Sequence, residues 1–325
     1  MAGVPITMAL AHYDRHVPFL DGTIRPDGVE LKVLDVGQST DGLHGKHRHQ
    51  RMLVDNEFDV AEVSFSNYLM ALDRGAPFTA IPIVARRLFS QSLFFTRIGS
   101  QLSGPQDLVG KRVGLNTYQT TLSVLAKGDL QHEYGVPIDQ IDWVINVDEI
   151  IPFDPPAAMR IQWLPKAGPR IDELLLAGEI DAIAMPHPPK TLTTGEPKIR
   201  RLFQDAKAAE LDYYRRNGYW PIMHYLVFRN EVVDRHPWLP RRIHDAYLDA
   251  KAALASAQGD PNWSSLIWAP YLAEEQAALF GDPWKHGLAA NRANIERFIQ
   301  YSHEQGLISA PMAPERLFHE SVRDT

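Results

Sequence analysis

Glu57-Phe58-Asp59-Val60-Ala61 runs into Glu62-Val63-Ser64-Phe65-Ser66. About 120 residues later Glu179-Ile180-Asp181-Ala182-Ile183 runs into Ala184-Met185-Pro186-His187-Pro188. Each copy is a polar helix end, a tight Asp, a short apolar strand and a loop of small or polar residues. In an α/β protein, ligands sit at the carboxyl ends of the strands. Two such loops predict two similar lobes with a ligand cleft between them. The question left is whether that cleft only binds or also reacts.

Composition bounds the answer. The 325 residues suffice for one large or two ordinary domains. Apolar residues at 45% and charged residues at 22% are ordinary for a globular chain. A formal charge of −7 argues against a nucleic-acid partner, which calls for a basic patch. With no cysteine there is neither a disulfide framework nor a thiolate nucleophile. The opening Met1-Ala2-Gly3-Val4-Pro5-Ile6-Thr7-Met8 lacks a basic region followed by a long apolar run, so no signal peptide is expected. No stretch reaches the length of a membrane span. The expectation is a cytoplasmic protein with no membrane partner.

The pattern outward from the repeat is α/β. Val4 to Leu10 and Val29 to Val36 read as strands, and Ser66 can cap a helix over Asn67 to Arg74. Phe78 to Val84 and Ser92 to Thr96 follow as strands. A second lobe begins near Ser100, with a strand at Val113 to Leu115. The polar loop Asn116-Thr117-Tyr118-Gln119-Thr120-Thr121 then opens a helix to about Tyr134. Trp143 to Val147 is a strand, Asp148 to Lys166 a Pro-rich surface excursion, and Ile171 to Ala177 a helix that Gly178 stops. Tyr219 to Phe228 returns the chain to the first lobe, and helices over 241–257, 264–280 and 288–305 form a tail on it. The domains expected are lobe I at residues 1–97 and 222–325, discontinuous and carrying the helical C-terminal tail, and lobe II at 98–221. Trp263, Trp268 and Tyr271 in the tail read as core packing, with a subunit contact of a homo-oligomer as the other use.

Candidate chemistry gathers at strand ends. His12, Tyr13, Asp14 and Arg15 put an imidazole, a phenol, a carboxylate and a cation after the first strand, where they read as ligand binding with proton transfer or as a salt-bridged loop. Arg86 and Arg87 follow a strand and offer guanidinium groups to a carboxylate. Ser64, Ser66 and Asn67 are donors or caps at the first repeat loop. Asn116, Tyr118, Thr120 and Thr121 surround a helix start that attracts anions. His187 lies between prolines after the second repeat strand, and His224 lies inside an apolar run where a packed core histidine is the commoner use. His44, His47 and His49 crowd together, but their spacing fits no rigid element and Lys46 and Arg48 oppose a metal, so metal ligands stay unassigned. There is no Walker loop, dinucleotide glycine fingerprint, His-Glu-x-x-His or Gly-x-Ser-x-Gly elbow.

Taken in order, these residues resemble the 4,5-dihydroxyphthalate decarboxylase family. The resemblance rests on Tyr13-Asp14-Arg15, Leu20-Asp21-Gly22, Glu57 to Glu62 with Ser64-Phe65-Ser66, and Ile81-Pro82-Ile83 leading to Arg87 and Phe89. It continues through Gly110 to Gly114, Gly178 to Ala182, Pro221-Ile222-Met223-His224 and Pro237-Trp238. Gly281-Asp282-Pro283-Trp284, Gly287-Leu288, Asn291-Arg292 and Glu304 to Leu307 complete it. It implies a type II periplasmic-binding-protein-like fold recruited as a cytoplasmic enzyme. It also implies a carboxy-lyase reaction that turns a dihydroxylated phthalate into protocatechuate without an organic cofactor. One departure stands out: where the family carries Arg-His after the Phe, this chain has Ser90-Gln91, and the Ser opening that segment is Arg86.

Such a reaction needs a ring hydroxyl ionised, a proton delivered to the carboxylate-bearing carbon and a carboxylate held. Arg15 and Arg87, with Arg86 as a substitute, are the expected anion ligands. His187 or His12 would be the acid or base, His224 a third candidate, and Asp14 would orient an imidazole or anchor Arg15. Ser64, Ser66 and Thr120 would complete the hydrogen-bonding shell, and a divalent metal on the catechol oxygens would lower the phenol pKa. The small aromatic carboxylate is the expected partner. Two rival readings remain: a non-catalytic binding protein for a small organic anion, and another enzyme on the same scaffold.

Overall fold

The computed structural model describes residues 3–37, 48–165, 168–189, 192 and 195–325. Its strands are β1 (Val4–Leu10), β2 (Val29–Asp35), β3 (Val60–Ser64), β4 (Phe78–Arg87), β5 (Phe94–Arg97), β6 (Arg112–Leu115), β7 (Asp142–Ile145), β8 (Arg160–Trp163), β9 (Ala182–Ala184), β10 (Ile199–Arg201) and β11 (Ile222–Arg229). The helices used below are α1 (Val17–Leu20), α2 (Arg48–Leu53), α3 (Phe65–Asp73), α4 (Thr121–His132), α5 (Ile171–Ala177), α6 (Ala206–Asn217), α7 (Asn230–Arg235), α8 (Leu239–Gln258), α9 (Ala269–Phe280) and α10 (Leu288–Glu304).

The chain divides into two compact units. Unit 1 is Met1–Arg86, His224–Ala293 and Met312–Thr325; unit 2 is Arg87–Met223 and Asn294–Pro311. The hand-over therefore falls about ten residues before the 97/98 boundary the sequence suggested. The reason is β5, which pairs with β9 and β10 in the second sheet. Residues 294–311 of the tail likewise pack in unit 2, where Tyr301 fits against Gly128 of α4.

Unit 1 holds a sheet in the order β2-β1-β3-β11-β4. β1 runs parallel to β2 and β3, and β11 is antiparallel to β3. β3 is buried on both faces over all five residues, so its side chains do not alternate between core and solvent. That places Glu62 in the interior along with Val60 and Val63. Unit 2 holds a sheet in the order β10-β5-β9-β6-β7-β8, with β6 parallel to β7 and β9.

The repeated Asp does the same work in each unit. Asp59 accepts the Thr7 amide and hydroxyl, both at 2.8 Å, and so ties the start of β3 to β1. Asp181 accepts the Arg112 amide at 2.9 Å and ties the start of β9 to β6. A carboxylate on a backbone N–H at a strand start fixes the register of the neighbouring strand. Caps repeat as well: Ser64 accepts from the Asn67 amide at the start of α3, and Thr120 from the Ser123 amide at the start of α4.

The tail departs from expectation. Trp263, Trp268 and Tyr271 are 43%, 70% and 69% exposed, and α9 has no buried residue, so core packing is not their use here. The expected 264–280 helix starts only at Ala269, after a run of turns.

Candidate active site

Glu62 is the centre of a polar cluster inside unit 1. Its carboxylate is out of solvent and four groups converge on it. The Ala11 amide donates to Oε2 at 3.1 Å, and His224 Nδ1 lies 2.5 Å from Oε1. Arg48 Nη2 is 3.0 Å from Oε2 in an ion pair buried on both sides, and His16 Nδ1 is 3.9 Å from the same oxygen. Register explains the His224 contact. Ser64 faces His224 and Glu62 faces Leu226 across β3 and β11, so Glu62 and His224 are diagonal neighbours on one sheet face. Arg48 is held in turn by the Glu62 carbonyl, accepting from Nε at 2.7 Å, and by the Val36 carbonyl on Nη1.

Electrostatics fix the protonation states. Burial would raise the Glu62 pKa, but Arg48 and His224 outweigh it and hold the carboxyl well below the usual range. Burial lowers His224 to about 4 against the pull of Glu62, and lowers His16 to about 4 as well. The anionic Glu62 therefore accepts Nδ1–H of a neutral His224, which leaves Nε2 as its basic nitrogen. His16 instead gives Nδ1–H to the Ala11 carbonyl at 2.8 Å, and its Nε2 has no hydrogen-bond partner among the described residues.

Around this centre stand groups that touch it at longer range. His49 is edge-on to His224 with 5.1 Å between ring centroids, and its Nδ1 accepts the Ser64 amide at 3.3 Å, so its proton sits on Nε2. Arg86, at the end of β4, is near enough to act on both Tyr13 and His224, in each case favouring the form without added positive charge. Burial first, and Glu62 second, push the Tyr13 phenol up. The arrangement can accept a proton at one imidazole, offer one at another, and meet a carboxylate or phenolate with a guanidinium.

The residues expected from sequence are distributed as follows. His224, Ser64, Ser66 and Arg86 lie at or beside the Glu62 cluster, all of them buried. His12 is on the surface, 3.0 Å from Asp35, with 68% of its side chain exposed. Asp14 is exposed and accepts the Arg15 amide, while Arg15 donates from Nε to the Ala85 carbonyl at 2.7 Å. Arg87 belongs to unit 2, where Nη1 donates to the Trp220 carbonyl. His187 also belongs to unit 2 and is exposed. His44 and His47 lie outside the described residues, and among those described no three metal-ligating side chains converge.

In unit 2 the loop before α4 already holds a carboxylate. Glu149 accepts the amides of Tyr118 and of Gln119, the latter at 3.3 Å. Lys127, fully buried, donates to the Tyr118 carbonyl at 2.8 Å and sits over the Tyr118 ring. Thr120 and Thr121 cap and begin the helix, and Asn116 supplies its carbonyl to the Val147 amide. Ser90 and Gln91 are both buried, with Ser90 Oγ donating to Asp129 at 2.5 Å. Where the resemblance leads one to look for a cation and an imidazole, this chain has two neutral side chains packed inward.

Glu62, Arg48 and His16 were absent from the expected site, and His49 was weighed only as a metal ligand. The signal for Glu62 was present: a carboxylate in the middle of a continuous apolar strand must be paired or neutralised. Arg48 entered only as a cation opposing a metal at the neighbouring histidines.

No family model matches the chain. It is 31% identical over 333 residues to a 4,5-dihydroxyphthalate decarboxylase of Comamonas testosteroni, covering 98% of this chain and 97% of that protein. A 4,5-dihydroxyphthalate decarboxylase of Pseudomonas putida is 27% identical over 222 residues, covering 66% of this chain and 83% of that protein. Among solved structures, the periplasmic aliphatic sulphonate binding protein of Escherichia coli aligns over 100% of both chains with a TM-score of 0.56 at 9% identity. That likeness shows the fold, the two-lobed type II periplasmic-binding-protein-like architecture. With nearly its whole length matched to the Comamonas protein, the chain belongs to the 4,5-dihydroxyphthalate decarboxylase family.

Proposed function

We propose that this protein is a carboxy-lyase that converts 4,5-dihydroxyphthalate to protocatechuate, with the Glu62–His224 pair as its proton-transfer centre. The observation that carries the reading is the near full-length match to a decarboxylase in a chain whose buried Glu62–His224 carboxylate–imidazole pair bridges β3 and β11 in unit 1. The base is assigned to His224 rather than His12 or His187 because burial and an anionic partner set its tautomer, whereas those two are exposed.

The chemistry balances without an electron acceptor. A ring hydroxyl para to the leaving carboxylate gives its proton to His224 Nε2, and its electron pair moves into the ring. The carbon bearing the carboxylate takes a proton, the bond to that carboxylate breaks, and CO2 leaves as its electron pair restores the aromatic ring. The Tyr13 phenol is the nearby donor for that carbon; the His224 imidazolium returns its proton to the product phenolate, and water restores the Tyr13 proton. An imidazole with a pKa of about 4 is a weak base toward a phenol. Two features offset this. Arg86 stabilises the phenolate, and a dianionic substrate raises the pKa of a neighbouring imidazole by favouring its cation. Glu62 keeps the ring oriented and stabilises the imidazolium as it forms. A divalent metal on the two ring oxygens would lower the phenol pKa further.

His224→Ala tests the assignment. A general base contributes about 10²–10⁴ in rate, so kcat should fall by at least about a hundredfold with substrate affinity nearly unchanged. Turnover within twofold of the wild type removes His224 from the mechanism. The second reading, a binding protein for an organic anion, draws on the Tyr118 and Gln119 amides that hold a carboxylate in unit 2. It is favoured if the protein binds the dihydroxylated acid and never consumes it.

A further inference from the structure

The stretch Trp263-Ser264-Ser265-Leu266-Ile267-Trp268-Ala269-Pro270-Tyr271-Leu272 belongs to unit 1 and brings six large apolar side chains to its surface. They run from 43% exposed at Trp263 to 90% at Ile267. Together they show water on the order of 700 Å² of side chain, taking about 200 Å² for a whole aromatic and less for an aliphatic. The largest apolar patch on an ordinary monomer is about 300–600 Å². Among the described residues, the other exposed large apolar side chains lie singly along the chain.

The run leads into α9, which has 12 residues and buries none of them. A helix that short is marginal in water and is normally held by an apolar face packed against something else. The chain has little left to cover it: outside the described residues the only large apolar side chains are Met1 and Leu43. The cover therefore comes from outside the chain, and charge constrains its chemistry. No ionised side chain occurs from Pro261 to Ala273, and the nearest ones, Asp260, Glu274, Glu275 and Asp282, are all acidic. No Lys or Arg lies between Lys251 and Lys285. Helices that lie on a membrane carry Lys and Arg on their polar face to meet anionic lipid, so a bilayer is disfavoured here. A charged partner protein is disfavoured too, because the centre of the patch offers it no counter-charge.

We propose that this face joins two copies of the chain, patch against patch about a two-fold axis. Such a pair needs a single self-complementary surface that both copies use. The run supplies one: an uncharged apolar centre rich in Trp and Tyr, the residue types that anchor interfaces. The size fits as well, since a stable dimer hides about 800 Å² on each partner and these six side chains supply most of it. Of the two uses the sequence left for Trp263, Trp268 and Tyr271, this is the subunit contact. Asp260, Glu274 and Glu275 then form an acidic rim that meets its own kind across the pair. Salt screens that repulsion and should tighten the association. The inference concerns a surface of unit 1 and stands whether or not the decarboxylase reading does.

Light scattering of the full chain, read across a dilution series, tests it. The expected mass at about 50 μM is twice that of one chain, as for a dissociation constant of about 1 μM or tighter. Ile267→Asp puts a charge at the most exposed position and should weaken association at least about a hundredfold, and Trp268→Ser at least about tenfold. Both side chains lie outside the core of their own copy, so both variants should keep the far-UV spectrum of the wild type. Ile98→Ser removes an apolar side chain 54% exposed in unit 2 and should leave the pair intact. Raising salt from about 0.05 to about 0.5 M should lower the dissociation constant. A larger assembly that Ile267→Asp halves in mass supports the same face. The proposal is overturned by a single-chain mass at about 50 μM, by an assembly that both patch variants leave intact, or by a pair that salt dissociates. A single chain that co-sediments with phosphatidylglycerol vesicles also overturns it and puts a membrane on this face.

Discussion

Replacing Glu62 with glutamine keeps the side chain's shape and removes one charge from the centre of unit 1. Glu62 and Arg48 are both fully buried, with Arg48 Nη2 3.0 Å from Oε2. At an effective dielectric of about 20, two unit charges about 4 Å apart attract by about 4 kcal/mol. Removing one member of a buried pair costs about 3–5 kcal/mol, because the other charge stays desolvated and alone. Unit 1 has about 170 residues, for which 1 kcal/mol moves the midpoint by about 2–4 °C. The unfolding transition of unit 1 should therefore drop by roughly 6–20 °C, read by calorimetry at pH 7.5. The cycle completes the argument. Arg48→Met in the Glu62→Gln background removes the stranded cation and should recover more than half of the loss, a coupling of about 2 kcal/mol or more. Turnover should stay depressed in both variants, since His224 has lost its anionic partner. A Glu62→Gln protein melting within 2 °C of the wild type, or additive losses in the cycle, would refute the view that this carboxylate organises the site.

Three further outcomes follow from the same geometry. Gly128→Ala places a Cβ 2.1 Å from the Tyr301 ring, which is itself buried in unit 2. It should destabilise by about 1–3 kcal/mol or more, whereas an unobstructed helical glycine would gain stability; a raised melting temperature contradicts the packing. His16 and His224 have folded pKa values of about 4, below the ordinary 6.5, so the unfolded chain binds more protons between those limits. Their contribution is complete above pH 6.5 and lost as pH falls toward 4, up to roughly 3 kcal/mol each. A urea midpoint that stays flat from pH 7.5 to 4 rules this out. Asp129 has the opposite sign: burial raises its folded pKa to about 8 from 3.8, so its contribution is present below pH 3.8 and fades as pH rises through 8. Asp129→Asn, neutral at every pH, should be increasingly more stable than the wild type from pH 5 to 8.5, and parallel profiles would contradict the burial account.

The sequence carries the architecture more openly than the site. Asp59 and Asp181 mark the repeat because each accepts a neighbouring strand's amide, a local requirement that leaves a local signature. Thr120 announces its helix for the same reason, whereas the cap of α3 is Ser64, two residues before the Ser66 the sequence suggested, because Ser64 accepts the Asn67 amide. The boundary near 97 was not legible, because whether Phe94–Arg97 joins one sheet or the other depends on pairing with β9 and β10, far along the chain. α6 was missed because its polar face dominates and only Ala206 and Tyr213 are buried. In the site, His224 was visible but looked like a core histidine, and its partner Glu62 is 162 positions away. Arg48 and His49 lie in a run of basic residues with no apolar period to show that α2 turns them inward. The helix start at Asn116 to Thr121 was legible as an anion trap, while its occupant Glu149 was not, since that contact closes across about 30 residues of loop and strand.

The most direct test of the central claim is chromatography of the purified wild-type protein incubated with 4,5-dihydroxyphthalate, with CO2 followed in the same vessel. The account predicts one protocatechuate and one CO2 for each substrate consumed. Substrate that binds, as shown by a thermal shift, yet remains unconsumed would contradict it and leave a binding protein on an enzyme family's scaffold.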